Sequence, residues 1–264
     1  MKTYTFITLF VIALLSAACQ STTPIVTQAP VTIIAQVTDT PIDTPKPPTA
    51  TPTKPPTTTP TPTVEPPALA VEFLDIVNVV KVDSFDNLNN WNRWNPETGS
   101  ILNGMFELRG QEGWISGLVF NQRLGEGDGV VLRYKTAKNS DFQSEFVFTT
   151  GEFQTDSFRQ FGVYNGRRPK ADLYQGKIGI GFNNLNGNLT LKADTWYNLL
   201  MALDKDGGFL AVVWSPDDPS LRLIYHEKIG AKWAGLSWQF IAKANKGETM
   251  YVDDLYLLSF HAIK

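Results

Sequence analysis

Cysteine occurs once in the 264 residues, at Cys19, and histidine only twice, at His226 and His261. A single cysteine excludes a disulfide within the chain. Two histidines with no second thiol leave no histidine or cysteine cluster for zinc. No stretch reaches the about 20 apolar residues that a membrane-spanning helix needs, since the run from Phe6 to Leu15 gives way at once to Ser16-Ala17-Ala18. Basic clustering is missing too: the formal net charge is −3, and no stripe of lysine and arginine offers the electrostatic footprint of nucleic-acid binding. Finally, no window carries an apolar stripe at the 3.6-residue period of an amphipathic helix.

What is present begins with a leader. Lys2 precedes the apolar run, small residues follow, and Cys19 closes Leu14-Leu15-Ser16-Ala17-Ala18-Cys19. This order reads as a signal peptide over residues 1–18. The hexapeptide resembles the lipobox of bacterial lipoproteins, in which the cysteine becomes the lipidated first residue of the mature protein. The resemblance implies lipidation of Cys19, a membrane partner reached through that lipid, and an extracytoplasmic location. It also gives a use to a thiol that would otherwise stand alone in an oxidising compartment. Cleavage after Ala18 by an ordinary signal peptidase is the alternative.

Residues 19–70 change composition completely. They hold 13 of the 17 prolines and no aromatic residue. Such a tract cannot bury enough apolar surface to offset its chain entropy, so a disordered Thr/Pro linker is expected. Proline repeats favour an extended conformation of about 3.1 Å per residue, which gives a reach on the order of 100 Å.

Residues 71–264 hold all seven tryptophans and suit one sizeable domain. Short alternating runs bounded by Gly, Asn, Asp or Pro recur throughout. Strands are expected over Val79 to Phe85, Met105 to Arg109, Trp114 to Asn121, Val130 to Lys135, Phe142 to Phe148 and Phe158 to Tyr164. More follow over Lys177 to Phe182, Trp196 to Leu203, Phe209 to Trp214, Arg222 to Glu227, Leu236 to Lys243 and Thr249 to Phe260. Asn103-Gly104 and Asp206-Gly207-Gly208 supply hairpin turns, because asparagine and glycine tolerate positive φ. The expected fold class is all-β, a sandwich of two antiparallel sheets.

Several segments carry a family resemblance. Asp83-Ser84-Phe85-Asp86 followed by Trp91, then Ile101 to Leu108, is similar to the opening of concanavalin-like and laminin G-like jelly rolls. Asp194-Thr195-Trp196-Tyr197, Asp206 to Phe209 and Val213 to Pro219 resemble the later hairpins of that superfamily, and Tyr251 to Leu257 resembles its last strand. The resemblance implies a concanavalin-like jelly roll over most of residues 80–260.

Enzymes of this fold, the family-16-like glycoside hydrolases, resemble one another in a strand carrying Glu-x-Asp-x-x-Glu, whose alternation places the acids on one face. That run is missing here. Glu126-Gly127-Asp128 is loop-like, and Glu145 and Glu152 with Asp141 and Asp156 do not match the spacing. Nor does any Gly-x-Ser-x-Gly elbow accompany His226, and Gly125 to Gly129 and Gly179 to Gly181 precede no helix as a phosphate loop would. The expectation is therefore a domain that is not an enzyme.

Two candidate sites remain. Alternation along the terminal strand puts Asp253 on the face of Tyr251, Leu255 and Leu257, and a carboxylate there needs a partner. In similar jelly rolls such an acid joins the first strand at a structural calcium, which would enlist Asp83 and Asp86. The other site is a glycan surface, where flat aromatic rings stack on sugars and polar neighbours bond the hydroxyls. Tyr164 with Arg167 and Tyr174 forms one aromatic-polar group, Trp91 to Trp94 another, and Trp233 with Trp238 a third. Tyr164 and Trp94 are the favoured platforms. Alternation places Gln160 beside Tyr164, and Glu145 joins them if the neighbouring strand pairs in that register, which a one-residue slip would reverse.

The function expected from sequence is a surface-tethered, non-catalytic glycan-binding module that holds a polysaccharide or cell-wall glycan. An adhesion domain of the laminin G-like kind, which binds protein, and a divergent glycoside hydrolase are the alternatives.

Overall fold

In the computed structural model, residues 68–153, 155–233 and 235–264 are described. The leader, Cys19 and the Thr/Pro tract as far as residue 67 lie outside the described residues. Helix α1 (Ala68–Phe73) leads into β1 (Leu74–Asp83), β2 (Trp91–Arg93), β3 (Gly99–Leu102), β4 (Met105–Arg109), β5 (Ser116–Leu124) and β6 (Asp128–Thr136). The next five strands are β7 (Ser144–Thr150), β8 (Arg159–Asn165), β9 (Lys170–Gln175), β10 (Ile178–Asn184) and β11 (Asn186–Gly187). The chain continues with β12 (Tyr197–Leu203), β13 (Gly208–Trp214), β14 (Arg222–Lys228), β15 (Trp238–Ala244) and β16 (Thr249–Ile263). No helix among the described residues is long and apolar enough to cross a membrane.

The strands form two antiparallel sheets, the jelly-roll arrangement expected from the alternating pattern. One runs β11-β14-β13-β12-β6-β16-β4-β3, with β1 added beside the second half of β16. The other runs β10-β9-β8-β7-β15-β5-β2. Every second side chain points between the sheets. Phe146 and Phe148 of β7, Phe161 and Val163 of β8 and Phe240 of β15 meet Leu199, Met201 and Phe209 of the other sheet in one buried cluster. Aromatic rings interlock there edge to face, as with Phe161 and Phe209 at 4.6 Å. Trp91, Trp233 and Trp238 are consumed by this core, so both tryptophan groups read as binding surfaces lose rings to packing.

Strands β12 and β13 are buried on both faces, which is why Asn198-Leu-Leu-Met-Ala-Leu and Phe209-Leu-Ala-Val-Val-Trp read as nearly continuous apolar runs. Their outer side chains, Leu200, Ala202, Leu210, Val212 and Trp214, are covered by Leu69, Ala70 and Leu74. Helix α1 thus starts three residues before the boundary suggested by composition. Its Glu72 carboxylate accepts two hydrogen bonds from the Arg222 guanidinium, at 2.7 and 2.8 Å.

The hairpin turns form as their residues predict. Asn103 and Gly104 take φ of 52° and 73°, the mirror-image turn that matches strand twist. At the β12–β13 turn, the Asp204 carboxylate accepts from the amides of Asp206 and Gly208 at 3.0 and 2.7 Å.

Strand β16 departs from simple alternation. A register shift lies between Asp253 and Tyr256, where Asp254 adopts φ of 49°. This bulge changes which side chains face inward. Met250, Val252 and Leu255 enter the core, so Asp253 does not share the face of Leu255 as strict alternation requires. It pairs across the strands with Arg133.

Candidate functional site

The outer face of the seven-stranded sheet carries a groove. Its floor is set by register. Glu145 of β7 lies opposite Tyr164 of β8 on one side and Lys243 of β15 on the other. Gln160 of β8 lies opposite Tyr174 of β9, and Asp172 lies opposite Gly162. The alternation that sends Phe161 and Val163 into the core therefore sends Gln160 and Tyr164 outward, as read from the sequence. Glu145 joins them in the register that the sequence left conditional.

Gly162 is the gap in this floor. A Cβ there would sit 2.1 Å from the Phe146 carbonyl oxygen and 2.7 Å from Val147 Cγ1. With no side chain on β8 at that point, the acids of β7 and β9 meet across it.

The polar groups form one chain. Lys243 Nζ lies 2.5 Å from Glu145 Oε1 and donates to Gln160 Oε1 at 3.3 Å. Gln160 Nε2 in turn donates to Asp172 Oδ2 at 2.5 Å. These groups are shielded from water: Asp172 is 1 % exposed and Glu145 7 %. Burial first, and then the adjacent Glu145 carboxylate, push the Asp172 carboxyl up to about 8. Both causes favour the protonated form of the pair over two separate carboxylates. The second Asp172 oxygen, Oδ1, is buried with no donor facing it, and Glu145 lies near enough to share the proton through a hydrogen bond. The arrangement is a proton-sharing carboxyl pair with one lysine beside it, the kind of environment that separates an acid from a base.

Aromatic side chains wall the recess around the pair. Tyr164 and Tyr174 are raised above their ordinary range, chiefly by burial and further by these carboxyls. Phe182 meets Tyr164 edge to face at 5.5 Å, and Trp114 leans on the same ring at 6.0 Å. Trp114 holds φ of 63° just after Gly113 at 77°, a left-handed pair that turns the indole toward the groove wall. Phe153, 69 % exposed, closes one edge. The recess encloses about 260 Å³ and continues into a wider groove of about 720 Å³ that ends at Trp94. Trp94 is 47 % exposed, and its ring lies on Gly117, where a Cβ would come within 2.7 Å of it.

Of the residues expected to bind a ligand, Glu145, Gln160, Tyr164 and Trp94 line this one groove. Arg167 does not. It is exposed on the loop after β8, with its guanidinium 6.0 Å from the Phe142 ring. Sequence reading missed Asp172 and Lys243. Asp172 sits on β9, a strand not anticipated, although Ala171 and Leu173 alternate with Asp172 and Tyr174 between Pro169 and Gly176.

The three acids considered for calcium are placed otherwise. Asp83 accepts from Trp91 Nε1 at 2.7 Å and from the Phe85 amide at 2.6 Å. Asp253 binds the Arg133 guanidinium, and Asp86 accepts from Ser84 Oγ at 2.8 Å. Among the described residues, no group of three or more His, Cys, Asp or Glu side chains comes together to hold a metal ion. An ion at Asp83 or Asp253 would have to displace these partners.

Neither a protein-family model nor a curated protein sequence matches the chain. Solved structures match its fold, that of the concanavalin-like jelly rolls. A glycosidic hydrolase superposes with a TM-score of 0.50 at 12 % identity, over 72 % of this chain and 99 % of its own. A basic winged bean lectin in complex with Tn-antigen gives 0.50 at 10 % identity, over 70 % and 100 %. A structure described with endo-acting O-glycanases of the human gut microbiota gives the same score and identity, also over 70 % and 100 %. At such identity the likeness establishes the fold alone.

The expectation that the domain is not an enzyme is corrected here. Solved hydrolases share its fold. The two acids of this groove, Glu145 and Asp172, come from separate strands, one on each side of β8, and not from a single run.

Proposed function

We propose that the domain is a carbohydrate-active jelly roll that binds a glycan in the groove and hydrolyses it by acid–base chemistry. The observation that carries this reading is the buried Asp172–Glu145 pair, with its proton held near neutral pH, under aromatic walls suited to sugar rings. Glycoside hydrolysis needs one carboxyl to protonate the leaving oxygen and one carboxylate to face the cationic ring carbon. Asp172 gives its proton to the leaving oxygen as the glycosidic C–O bond breaks; a water then bonds to the ring carbon and loses its proton to Glu145, which returns it to Asp172. Lys243 holds the Glu145 carboxylate in place, and Gln160 fixes the orientation of Asp172. The lipid inferred at Cys19 would tether the domain to a membrane, at the end of the Thr/Pro tract.

The test is release of reducing ends from a panel of soluble polysaccharides by the full chain. Asp172→Asn and Glu145→Gln are each expected to lower the rate by about 100-fold or more, as loss of a general acid or base does, while binding persists. Absence of cleavage across the panel, or cleavage indifferent to both substitutions, would overturn the reading.

A further inference from the structure

Charge in the groove is sparse and already matched. Among the described residues that line it, the carboxylic acids and bases are Glu145, Asp172 and Lys243. The Lys243 ammonium is taken up by Glu145 and Gln160, and no arginine is among the described residues that line the walls. A sugar carboxylate or sulfate entering here would give up its hydration, find its one cation engaged, and meet a carboxylate alongside.

The rest of the surface is apolar or neutral. Val119, Val147 and Ile241 form a small buried cluster on this face of the sheet, and Trp94 lies at the end of the wider groove. Gly117, which supports the Trp94 ring, is in register with Lys243, then Glu145, then Tyr164 on successive strands. Neighbouring strands lie about 4.8 Å apart, so Trp94 sits on the order of 10 Å from Glu145 across the sheet, with Tyr164 on the other side of the acid. A single sugar ring cannot touch both aromatics.

From this we infer that the groove takes an uncharged stretch of glycan chain lying across the strands, with Trp94 as a stacking platform remote from the acid pair. The inference rests on the groove being a glycan site and names the class of glycan. Hydroxyls meet neutral hydrogen-bonding groups such as Gln160, Gln239 and Thr149, while the C–H faces of the rings meet the aliphatic floor and the indole.

The test is titration calorimetry of the full chain with neutral oligosaccharides, from disaccharide to hexasaccharide, and with oligouronates and sulfated oligosaccharides of matched length. Affinity is expected to rise with length in the neutral series and to be absent in the anionic ones. Trp94→Ala is expected to weaken the hexasaccharide by about tenfold, the scale of one lost aromatic contact, and to leave the shortest bound oligosaccharide unchanged. Trp94→Phe should recover part of the loss. Glu145→Gln, which releases Lys243, is expected to gain affinity for oligouronates. Equal or tighter binding of anionic chains by the unmodified protein overturns the inference, as does a Trp94→Ala effect that does not depend on length. Neutral oligosaccharides that bind but are not cleaved support it, and count only against the hydrolytic reading above.

Discussion

Replacing Asp172 with asparagine should make the protein more stable as pH rises, and the size of the gain follows from the site. Below pH 3.8, the ordinary value for this carboxyl, it is protonated in folded and unfolded chains alike, and there is no difference to exploit. Above that pH the unfolded chain releases its proton, whereas the native state keeps it until about pH 8, because burial and Glu145 disfavour the charge. The native state then binds more protons than the unfolded one, so stability falls by about 1.4 kcal/mol per pH unit across that window. Four such units set a ceiling of about 6 kcal/mol, which relaxation around Lys243 and Glu145 would reduce to a few. Asparagine imitates the protonated acid: its oxygen accepts from Gln160 and its amide can donate to Glu145, at no titration cost. Urea unfolding followed by tryptophan fluorescence, at intervals from pH 5 to 9, measures the difference between variant and parent. It should widen steadily toward pH 8 and then level off. Parallel stability curves would mean that Asp172 is ionised in the fold, and the acid–base assignment would go with it.

Other outcomes can be checked with the same material. Gly162→Ala forces a methyl against the Phe146 carbonyl and should cost about 1–3 kcal/mol, the usual range for overpacking, seen as a lower urea midpoint. Leu200→Ala opens a cavity beneath α1 and should cost about 2–5 kcal/mol; Glu72→Ala, at a half-exposed ion pair, should cost under about 1 kcal/mol. Calcium and a chelator should give the same thermal midpoint, because Asp83 and Asp253 already have partners; a rise with calcium would show that the ion displaces them. Cys19→Ala should move the protein from the detergent phase to the aqueous phase on phase partitioning, and retention in detergent would refute a lipid on that residue.

The sandwich was legible because most strands have one face in the core and alternate accordingly. Strands β12 and β13 were legible for the opposite reason, as unbroken apolar runs. The groove was legible where β7 and β8 alternate strongly, which brought out Glu145, Gln160 and Tyr164. It was not legible at Asp172. Lys170–Gln175 is short and polar, follows two arginines and a proline, and passes for loop. Acids spaced along one strand are visible in a sequence, whereas this pair comes from two strands separated by a third, a relation that only pairing register reveals. The bulge in β16 defeated alternation from within, since Asp254 at positive φ leaves no compositional sign that Asp253 has turned outward. The buried Trp233 and Trp238 show the same limit, because a ring's size announces neither core nor surface.

Helix α1 packs on the outer face of one sheet and the groove opens on the outer face of the other, which gives the molecule a mechanical polarity. If the chain is held at its amino-terminal end while the groove grips a glycan, the load crosses the thickness of the sandwich instead of running along a single sheet. The first element in its path among the described residues is α1, fastened by Leu69, Ala70 and the Glu72–Arg222 pair. It makes few attachments compared with the strands beneath it. It would peel before any strand of the groove is disturbed, lengthening the connection and relieving the pull while the grip stays intact.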